Sequence, residues 1–196
     1  MDKEKQAINK SRIVKAVFGG QGKHFHQTLN KAKIHLSKIF GYQLLELDGN
    51  KYILVNQIEN PLLQEYALEA ERRLQVLLFL VLTHIFMHQE SCGEDLLWDF
   101  LMRLGIACAD NQRDNYFGNV KHLVTEVFVG QKYLDKTVTE KSDVVKVEFK
   151  WGPRAEHEFS RRKSLEFVSQ VYDGRQINSW PLQFQTMIAQ EKSNNS

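Results

Sequence analysis

The spacing of apolar residues predicts two helices followed by a hairpin in the first part of the chain. Ile8–Phe18 places its apolar side chains on one side of a short helix, and in Lys23–Phe40 they recur at steps of four and three, as in an amphipathic helix. Tyr42–Leu47 and Lys51–Asn56 then flank Asp48-Gly49-Asn50. Because Gly and Asn adopt positive φ at low cost, these residues predict a tight turn and a β-hairpin.

The rest of the chain repeats this order. The pattern predicts helices over Arg72–His88, Asp95–Leu104 and Asn119–Val129, a hairpin of Gln131–Thr139 and Val144–Trp151, and a long helix from about Arg154 to Tyr172. Ser91 and Glu94 have the spacing of a capping box, which predicts the start of the second of these helices. Gln190–Ser196 is polar, and we expect it to be a disordered tail.

A helix–helix–hairpin order with a basic second helix is the outline of a winged helix. The predicted fold is mainly α with small β-hairpin wings, an α+β arrangement of tandem winged-helix domains. We expect a first winged helix over 1–60, a linker over 61–71, a second winged helix with C-terminal helices over 72–190 and a disordered tail over 191–196. The first unit has no counterpart of the long apolar helix that opens the second. Either a neighbouring element or a partner protein covers the face left open, or the chain is a shortened form. If the face is uncovered, we expect exposed apolar side chains at Val14, Phe18 and Leu29.

Composition excludes the disordered and membrane-spanning classes. The 196 residues are 42% hydrophobic and 11% aromatic, enough to offset the entropy of ordering a chain. The longest apolar stretch, 74–87, is too short and too polar to cross a bilayer, and no apolar signal-peptide region follows Met1–Lys10. Cys92 and Cys108 cannot form a disulfide framework, which favours a reducing compartment, the nucleus or the cytoplasm.

Charge is distributed unevenly along the chain, although the net charge is only +2. Residues 1–45 carry nine basic and two acidic side chains, residues 46–115 five and twelve, and residues 116–196 twelve and ten. Such segregation allows a basic surface for nucleic acid to coexist with an acidic surface for a protein partner.

No motif indicates catalysis. His84 and His88 have the i, i+4 spacing of zinc ligands, but Ile85 stands where a zinc protease has its general-base Glu, so paired helix histidines are the simpler interpretation. Gly19–Lys23 resembles a phosphate-binding loop but lacks the first Gly, the following Ser or Thr and a preceding strand. We expect no enzyme, no cofactor and no metal site.

Basic side chains are the features most compatible with DNA, because Lys and Arg neutralise phosphates and release counterions. Solvated charged faces are the alternative interpretation. Alternation along the strand places Lys146 and Lys150 on one outward face of the second wing. The candidate DNA-binding residues are Lys31 and Lys38 on the basic helix, Lys136, Lys141, Lys146 and Lys150 in the wing, and Arg161, Arg162 and Lys163 in the last predicted helix.

Several segments together resemble the MAGE homology domain from about residue 8 to residue 188. They are Phe40–Leu44 and Lys51–Asn56 in the first unit, and Ile85–Met87, Leu97–Leu101, Leu104–Ile106, Phe117–Gly118, Lys121–Thr125, Gln131–Leu134 and Phe149–Ala155 in the second. The Trp-Gly-Pro-Arg-Ala signature after a strand is the most specific of them.

The resemblance implies tandem winged helices and a non-catalytic adaptor that binds and stimulates RING-type ubiquitin ligases. In its slight excess of basic over acidic residues, the chain is most similar to the ancestral family member. That member is a nuclear subunit of the five-six structural-maintenance-of-chromosomes (SMC) complex in DNA repair and recombination. That member joins a RING-like subunit and a kleisin subunit and contacts double-stranded DNA. Under this hypothesis, a partner helix binds to Leu97, Phe100, Leu101 and Leu104.

Two alternatives stay open. One is a cytoplasmic MAGE-type regulator of a RING ligase that never contacts DNA. The other is a sequence-specific transcription factor, which is the weakest because Gln27 and Asn30 are the only good adenine readers on the basic helix. The family also opens its first winged helix with an apolar helix that carries a Leu-Leu pair for RING binding. The sequence has Met1–Ala7 at that position, so we expect weakened RING binding or a weakened first unit.

Overall fold

The structure is a computed structural model that describes residues 5–20, 22–57, 69–107, 113–141 and 144–194, without the side chains of Arg113, Lys141, Val144 and Asn194. The chain divides into two compact units, Met1–Pro61 and Leu62–Ser196. Most of the predicted linker 61–71 lies outside the described residues. Its last three residues already belong to a helix, so the second unit is helical before residue 72.

The first unit contains two helices and a small antiparallel sheet. Strand β1 (Ile8–Asn9) leads into α1 (Lys10–Phe18), and α2 (Phe25–His35) continues as a π-helical turn over Leu36–Phe40. The hairpin of β2 (Tyr42–Leu47) and β3 (Lys51–Asn56) turns through Gly49 and Asn50, both with positive φ, and the strand order is β1-β3-β2. Helices and hairpin therefore occur where the apolar pattern predicts them.

Phe25, Leu29 and Tyr52 form the buried core of this unit, with Ile13, Val14, Phe18 and Leu44 packed against it. The expectation of an exposed apolar face at Val14, Phe18 and Leu29 was wrong, because Leu29 is buried and the other two are half-buried. Among the described residues of this unit, the large apolar side chains that are more than half exposed are instead Val17, Ile34, Ile39 and Phe40. Three of these lie on α2 and its π-helical end.

The second unit is built around α3 (Glu69–Met87), whose Leu77, Val81, Leu82, Ile85 and Phe86 are buried. Strand β4 (Cys92–Gly93) leads into α4 (Glu94–Arg103), and β5 (Arg113–Asp114) pairs with β6 (Gly118–Asn119). The helical run α5 comprises Val120–His122, a π-helical turn over Leu123–Val127, and Phe128–Gly130. The wing is β7 (Leu134–Lys141) and β8 (Val144–Trp151), in a sheet of order β4-β8-β7.

The predicted capping box at Ser91 and Glu94 was wrong. The N-cap of α4 is Gly93, which offers no side chain, and Ser91 donates its hydroxyl hydrogen bond to Glu148 of β8 at 3.3 Å. Because Cys92 and Gly93 pair with Phe149 and Glu148, this segment is held in extended conformation. Sheet pairing thus takes the place of side-chain capping here.

The long helix predicted over 154–172 is two helices, α6 (Pro153–Glu158) and α7 (Arg161–Val171). Phe159 and Ser160 between them are extended, and the Ser160 hydroxyl caps α7 by accepting from the Lys163 N–H. The expected disordered tail was also wrong as far as Asn194, because α8 (Pro181–Asn194) includes residues 191–194. In this last turn Glu191 forms an ion pair with Arg162.

Candidate functional site

Arg161 was predicted to contact DNA, but the structure places it inside the second unit. It is 4% exposed, and its guanidinium donates to Glu156 and Glu90 and lies 4.3 Å from the centre of the Trp151 ring. Burial alone would lower the pKa of Arg161, but hydrogen bonds and the charges of Glu156 and Glu90 outweigh it and raise the pKa above its ordinary value. Arg161 is therefore a structural cation and is unavailable to phosphate.

Its neighbours in the predicted basic cluster differ from it. Arg162 is half-buried and donates to Glu191 through Nε at 2.5 Å and through Nη2 at 3.1 Å. This pairing raises the pKa of Arg162 and lowers that of Glu191. Lys163 is exposed at the start of α7. Three cations that are adjacent in sequence thus have three different environments, and only the third is exposed.

The wing carries its lysines on two faces. Register pairs Asp135 with Lys150 and Thr139 with Lys146, so Lys146 and Lys150 share one face, as alternation predicts. Lys136 is opposite Phe149 and belongs to the other face. Lys141 ends β7, and its side chain lies outside the described residues.

Acidic side chains reduce the positive charge of the Lys146–Lys150 face. Glu148 lies between the two lysines and accepts from the Lys146 ammonium at 2.8 Å. This contact raises the pKa of Lys146 and lowers that of Glu148. Asp135 is opposite Lys150 on the same face, and burial raises its pKa although Lys132 acts against the shift. The face is therefore only moderately basic.

The basic helix of the first unit has no such acidic neighbours in sequence. Lys31 and Lys38 are both exposed and lie seven residues apart, which places them on one face of α2 and its π-helical extension. No Asp or Glu occurs between residues 5 and 45, whereas eight Lys and Arg do. Beside this face, an open groove of about 490 Å³ between the helix and β2 is lined by Lys33, Ile34, Lys38 and Glu46, among others.

The four residues predicted to bind a partner helix divide into core and surface. Leu97 and Leu101 are fully buried in the second unit and cannot contact a partner without unfolding. Phe100 is half-buried and Leu104 is 48% exposed. Together with Leu96, which is 54% exposed and was not singled out from sequence, they form a stripe at i, i+4 and i+8 along α4.

The end of α3 brings Cys92 next to His84 and His88, whose i, i+4 spacing is visible in the sequence. Ligand atoms of His84, His88 and Cys92 lie within 4.8 Å of one another, and the two imidazole centroids are 4.2 Å apart. Burial, with the charge of His88, lowers the pKa of His84 to about 4. Burial raises the pKa of the Cys92 thiol to about 11. At neutral pH this thiol is protonated and is not an activated nucleophile.

Residues 1–162 match the family model of the MAGE homology domain. The chain belongs to this family. It is 35% identical over 196 residues to the "Non-structural maintenance of chromosomes element 3 homolog" of Homo sapiens, covering 98% of this chain and 63% of that relative. The mouse relative of the same name is also 35% identical, with 98% and 69% covered. Human "MAGE-like protein 2" is 33% identical over 96% of this chain and 15% of its own length.

A chain of the solved "Nse1-Nse3-Nse4 complex" has the same fold, with a TM-score of 0.81 and 34% identity over 95% of this chain and 89% of that one. This likeness confirms the predicted fold, mainly α with small β wings. Members of the MAGE family are non-catalytic adaptors, so the prediction that the chain is not an enzyme is also confirmed. Within the described residues, no helix combines the length and the apolar character that a membrane span requires.

The structure explains the Trp-Gly-Pro-Arg-Ala segment of this MAGE domain as a packing device. The Trp151 indole donates to the Leu82 carbonyl of α3 at 2.8 Å, and the Gly152 N–H donates to the Tyr133 carbonyl at 2.7 Å. Pro153 opens α6. Arg154 is 2% exposed and donates from Nε to the Gln131 carbonyl at 2.7 Å. These contacts join the wing to α3 and α6, so the segment holds the fold and is not a ligand site.

Proposed function

We propose that this MAGE chain is a non-catalytic adaptor subunit of an SMC five-six-type complex in the nucleus. In this role it binds a RING-type ubiquitin ligase subunit and a kleisin, stimulates the ligase, and contacts double-stranded DNA during repair. The observation that carries the proposal is the likeness, over nearly the whole chain, to a chain of the Nse1-Nse3-Nse4 complex. The identity to the human and mouse element 3 homologs supports it.

The kleisin is proposed to lay an amphipathic helix on the α4 stripe of Leu96, Phe100 and Leu104. Two of these side chains are about half exposed although they are large and apolar, and their spacing matches the i, i+4 anchors of a helix-in-groove contact. This stripe lies within the segment 46–115, in which acidic residues outnumber basic ones. That negative charge disfavours DNA as the ligand of the stripe and favours a protein.

This contact can be tested without disturbing the core, because both leucines are exposed. Leu96→Glu with Leu104→Glu is expected to weaken kleisin binding at least about 30-fold, the loss of a typical hot spot. Val171→Glu, at a position 64% exposed on α7, is the matched control and should bind normally. Equal affinity of the double variant and the control, measured by calorimetry, would remove the stripe from the proposal.

For DNA, the surface that best supports contact is the Lys31–Lys38 face of the first unit, with Lys146 and Lys150 on one face of the wing as a second contact. Lys31 and Lys38 are exposed on a helix without neighbouring acids in sequence. Arg161 and Arg162 are excluded from the test because reversing their charge would break internal ion pairs. Weaker DNA binding by such a variant could result from unfolding as well as from the loss of a cation that contacts DNA.

Two double charge-reversal variants test the α2 face and the wing separately. Lys31→Glu with Lys38→Glu is expected to weaken binding to a DNA duplex uniformly across sequences and to reduce the slope of log K against log salt by about 2, one for each phosphate that is no longer neutralised. Lys146→Glu with Lys150→Glu gives the same readout for the wing, and the exposed Lys146–Glu148 pair that it breaks contributes little to stability. If both double variants keep the affinity and salt slope of the parent chain, the DNA part of the proposal is wrong.

The second candidate function is a cytoplasmic MAGE-type ligase regulator without DNA binding. The internal pairing of Arg161 and Arg162 and the Lys146–Glu148 contact favour it, because they remove cations from the predicted DNA surface. Under this function the chain co-purifies with a RING-type ligase but with no kleisin, and it does not retain duplex DNA at moderate salt.

A further inference from the structure

The turn between α3 and β4 places two imidazoles and a thiol next to each other. His84 and His88 are one helical turn apart at the end of α3, and Cys92 opens β4, where it pairs with Phe149 of the wing. This strand pairing holds Cys92 beside the end of α3. Each of the three residues offers one ligand atom, and these atoms lie within 4.8 Å of one another.

The two imidazoles have nitrogen atoms available for a ligand. The Nε2 atom of His84 is buried and has no hydrogen-bond partner, which is rare for a buried polar atom and calls for an explanation such as an ion. The Nδ1 atom of His88 lies 3.0 Å from the His84 carbonyl, and the tautomer that donates there has its lone pair on Nε2. Such hydrogen bonds orient histidine ligands in zinc sites.

We propose that His84, His88 and Cys92 bind a zinc ion, with water as the fourth ligand. Imidazole and thiolate are the donors that zinc prefers, and ligand atoms of a tetrahedral zinc site are roughly 3.3–3.6 Å apart. The three side chains therefore need to approach by about 1 Å. His88 is exposed and can supply this movement by side-chain rotation. As zinc binds, the Cys92 S–H proton leaves to solvent and the thiolate takes its place on the metal.

The role of this ion is structural. It joins α3 to β4 across a turn in which Gln89 and Glu90 both have positive φ, a costly conformation for these residues. Glu90 in turn binds the buried Arg161, and His84 stacks on Phe100 of the α4 stripe with centroids 4.0 Å apart. Zinc thus stabilises the segment that connects the wing to the proposed partner surface.

Cobalt(II) titration of the purified full chain tests the site directly, because cobalt replaces zinc and reports its ligands by absorption. We expect a thiolate-to-cobalt charge-transfer band and the visible bands of tetrahedral cobalt, both removed by one equivalent of zinc. Cys92→Ser should abolish the charge-transfer band, and Cys108→Ser is the matched control that keeps it. A spectrum without a thiolate band, or one that persists in Cys92→Ser, would overturn the proposal.

His88→Gln provides a second variant that leaves the core intact, since His88 is exposed. We expect it to weaken zinc binding by more than about 100-fold in competition with a chromophoric chelator, beyond the usual effect of losing a residue that only supports a ligand. His122→Gln, also exposed, should bind zinc as the parent chain does. Equal zinc affinity for these two variants would show that His88 is not a ligand and would refute the site as proposed.

Discussion

Arg161 shows how one side chain can be a surface cation in sequence and a core residue in the fold. Its guanidinium is enclosed by Glu90, Glu156 and the Trp151 ring. Arg161→Ala would leave two carboxylates facing each other, but these are 34% and 40% exposed and regain part of their hydration. We expect a loss of about 2–3 kcal/mol in the free energy of unfolding, below the full cost of breaking a buried pair, measured by urea denaturation.

Arg162→Ala is the matched control for Arg161→Ala. It removes an ion pair whose two side chains are 40% and 37% exposed, so solvent screening limits the loss to about 0–1 kcal/mol. Equal destabilisation by the two substitutions would contradict the structural role given to Arg161.

Gly152 is the second residue whose role is set by close packing. A Cβ at this position would lie 2.4 Å from the Lys132 carbonyl oxygen, and the backbone atoms there cannot move aside cheaply. Gly152→Ala is expected to lower the free energy of unfolding by about 1–3 kcal/mol, as overpacking does. Gly130→Ala is the control, because a Cβ there meets nothing within 4 Å. Thermal unfolding of both variants checks the prediction, and a neutral Gly152→Ala would refute it.

Sequence alone could not separate the members of the Arg161–Lys163 cluster. The carboxylates that neutralise Arg161 and Arg162 include Glu90 and Glu191, 71 and 29 residues away. The alternation that placed Lys146 and Lys150 on one strand face also places Glu148 between them, but it does not show that Glu148 pairs with the Lys146 ammonium. The sequence shows which residues are cationic, but only tertiary contacts show which of these side chains face solvent.

Among the elements, α8 is joined to the break between α6 and α7 by the Gln190 side chain. Gln190 donates to the Glu156 and Phe159 carbonyls at 3.1 and 3.0 Å and accepts from the Arg161 N–H at 2.8 Å. Gln190→Leu leaves these three backbone groups without partners. We expect it to cost about 1–3 kcal/mol and to speed amide hydrogen exchange at Arg161.

Gln185→Leu on the exposed side of the same helix is the control for Gln190→Leu. It should change the free energy of unfolding by less than about 0.5 kcal/mol, as surface substitutions do. If Gln190→Leu is equally neutral, the attachment of α8 does not depend on this side chain.

The elements themselves were largely predictable, because their signals are local. The turn residues Gly49 and Asn50 and the amphipathic stripes of α1 and α2 act within a few residues. The break at Phe159–Ser160 was missed because no Gly or Pro marks it. There, Phe159 packs on Tyr133 with ring centroids 5.8 Å apart, a contact between distant parts of the chain. The ordered end of α8 was missed for the same reason, since Glu191 is held by Arg162.

In the molecule as a whole, the two units divide the proposed tasks. The first unit carries basic residues on α2 without neighbouring acids in sequence, and the second carries the apolar α4 stripe and the His84, His88 and Cys92 group. This division agrees with the uneven charge along the sequence. Of the proposed surfaces, sequence located the basic helix, two of the three residues of the stripe and the spacing of His84 and His88, but it could not find Leu96 or link Cys92 to the two histidines.

The proposed adaptor role requires that this MAGE chain join a kleisin and a RING-type ligase subunit in one assembly. Size-exclusion chromatography with light scattering, on the purified chain mixed with both proteins from one SMC five-six-type complex, measures this assembly. We expect a single peak containing all three proteins, and loss of the kleisin from that peak for Leu96→Glu with Leu104→Glu. If the chain instead elutes alone at its own mass of 22.9 kDa, the adaptor role is contradicted.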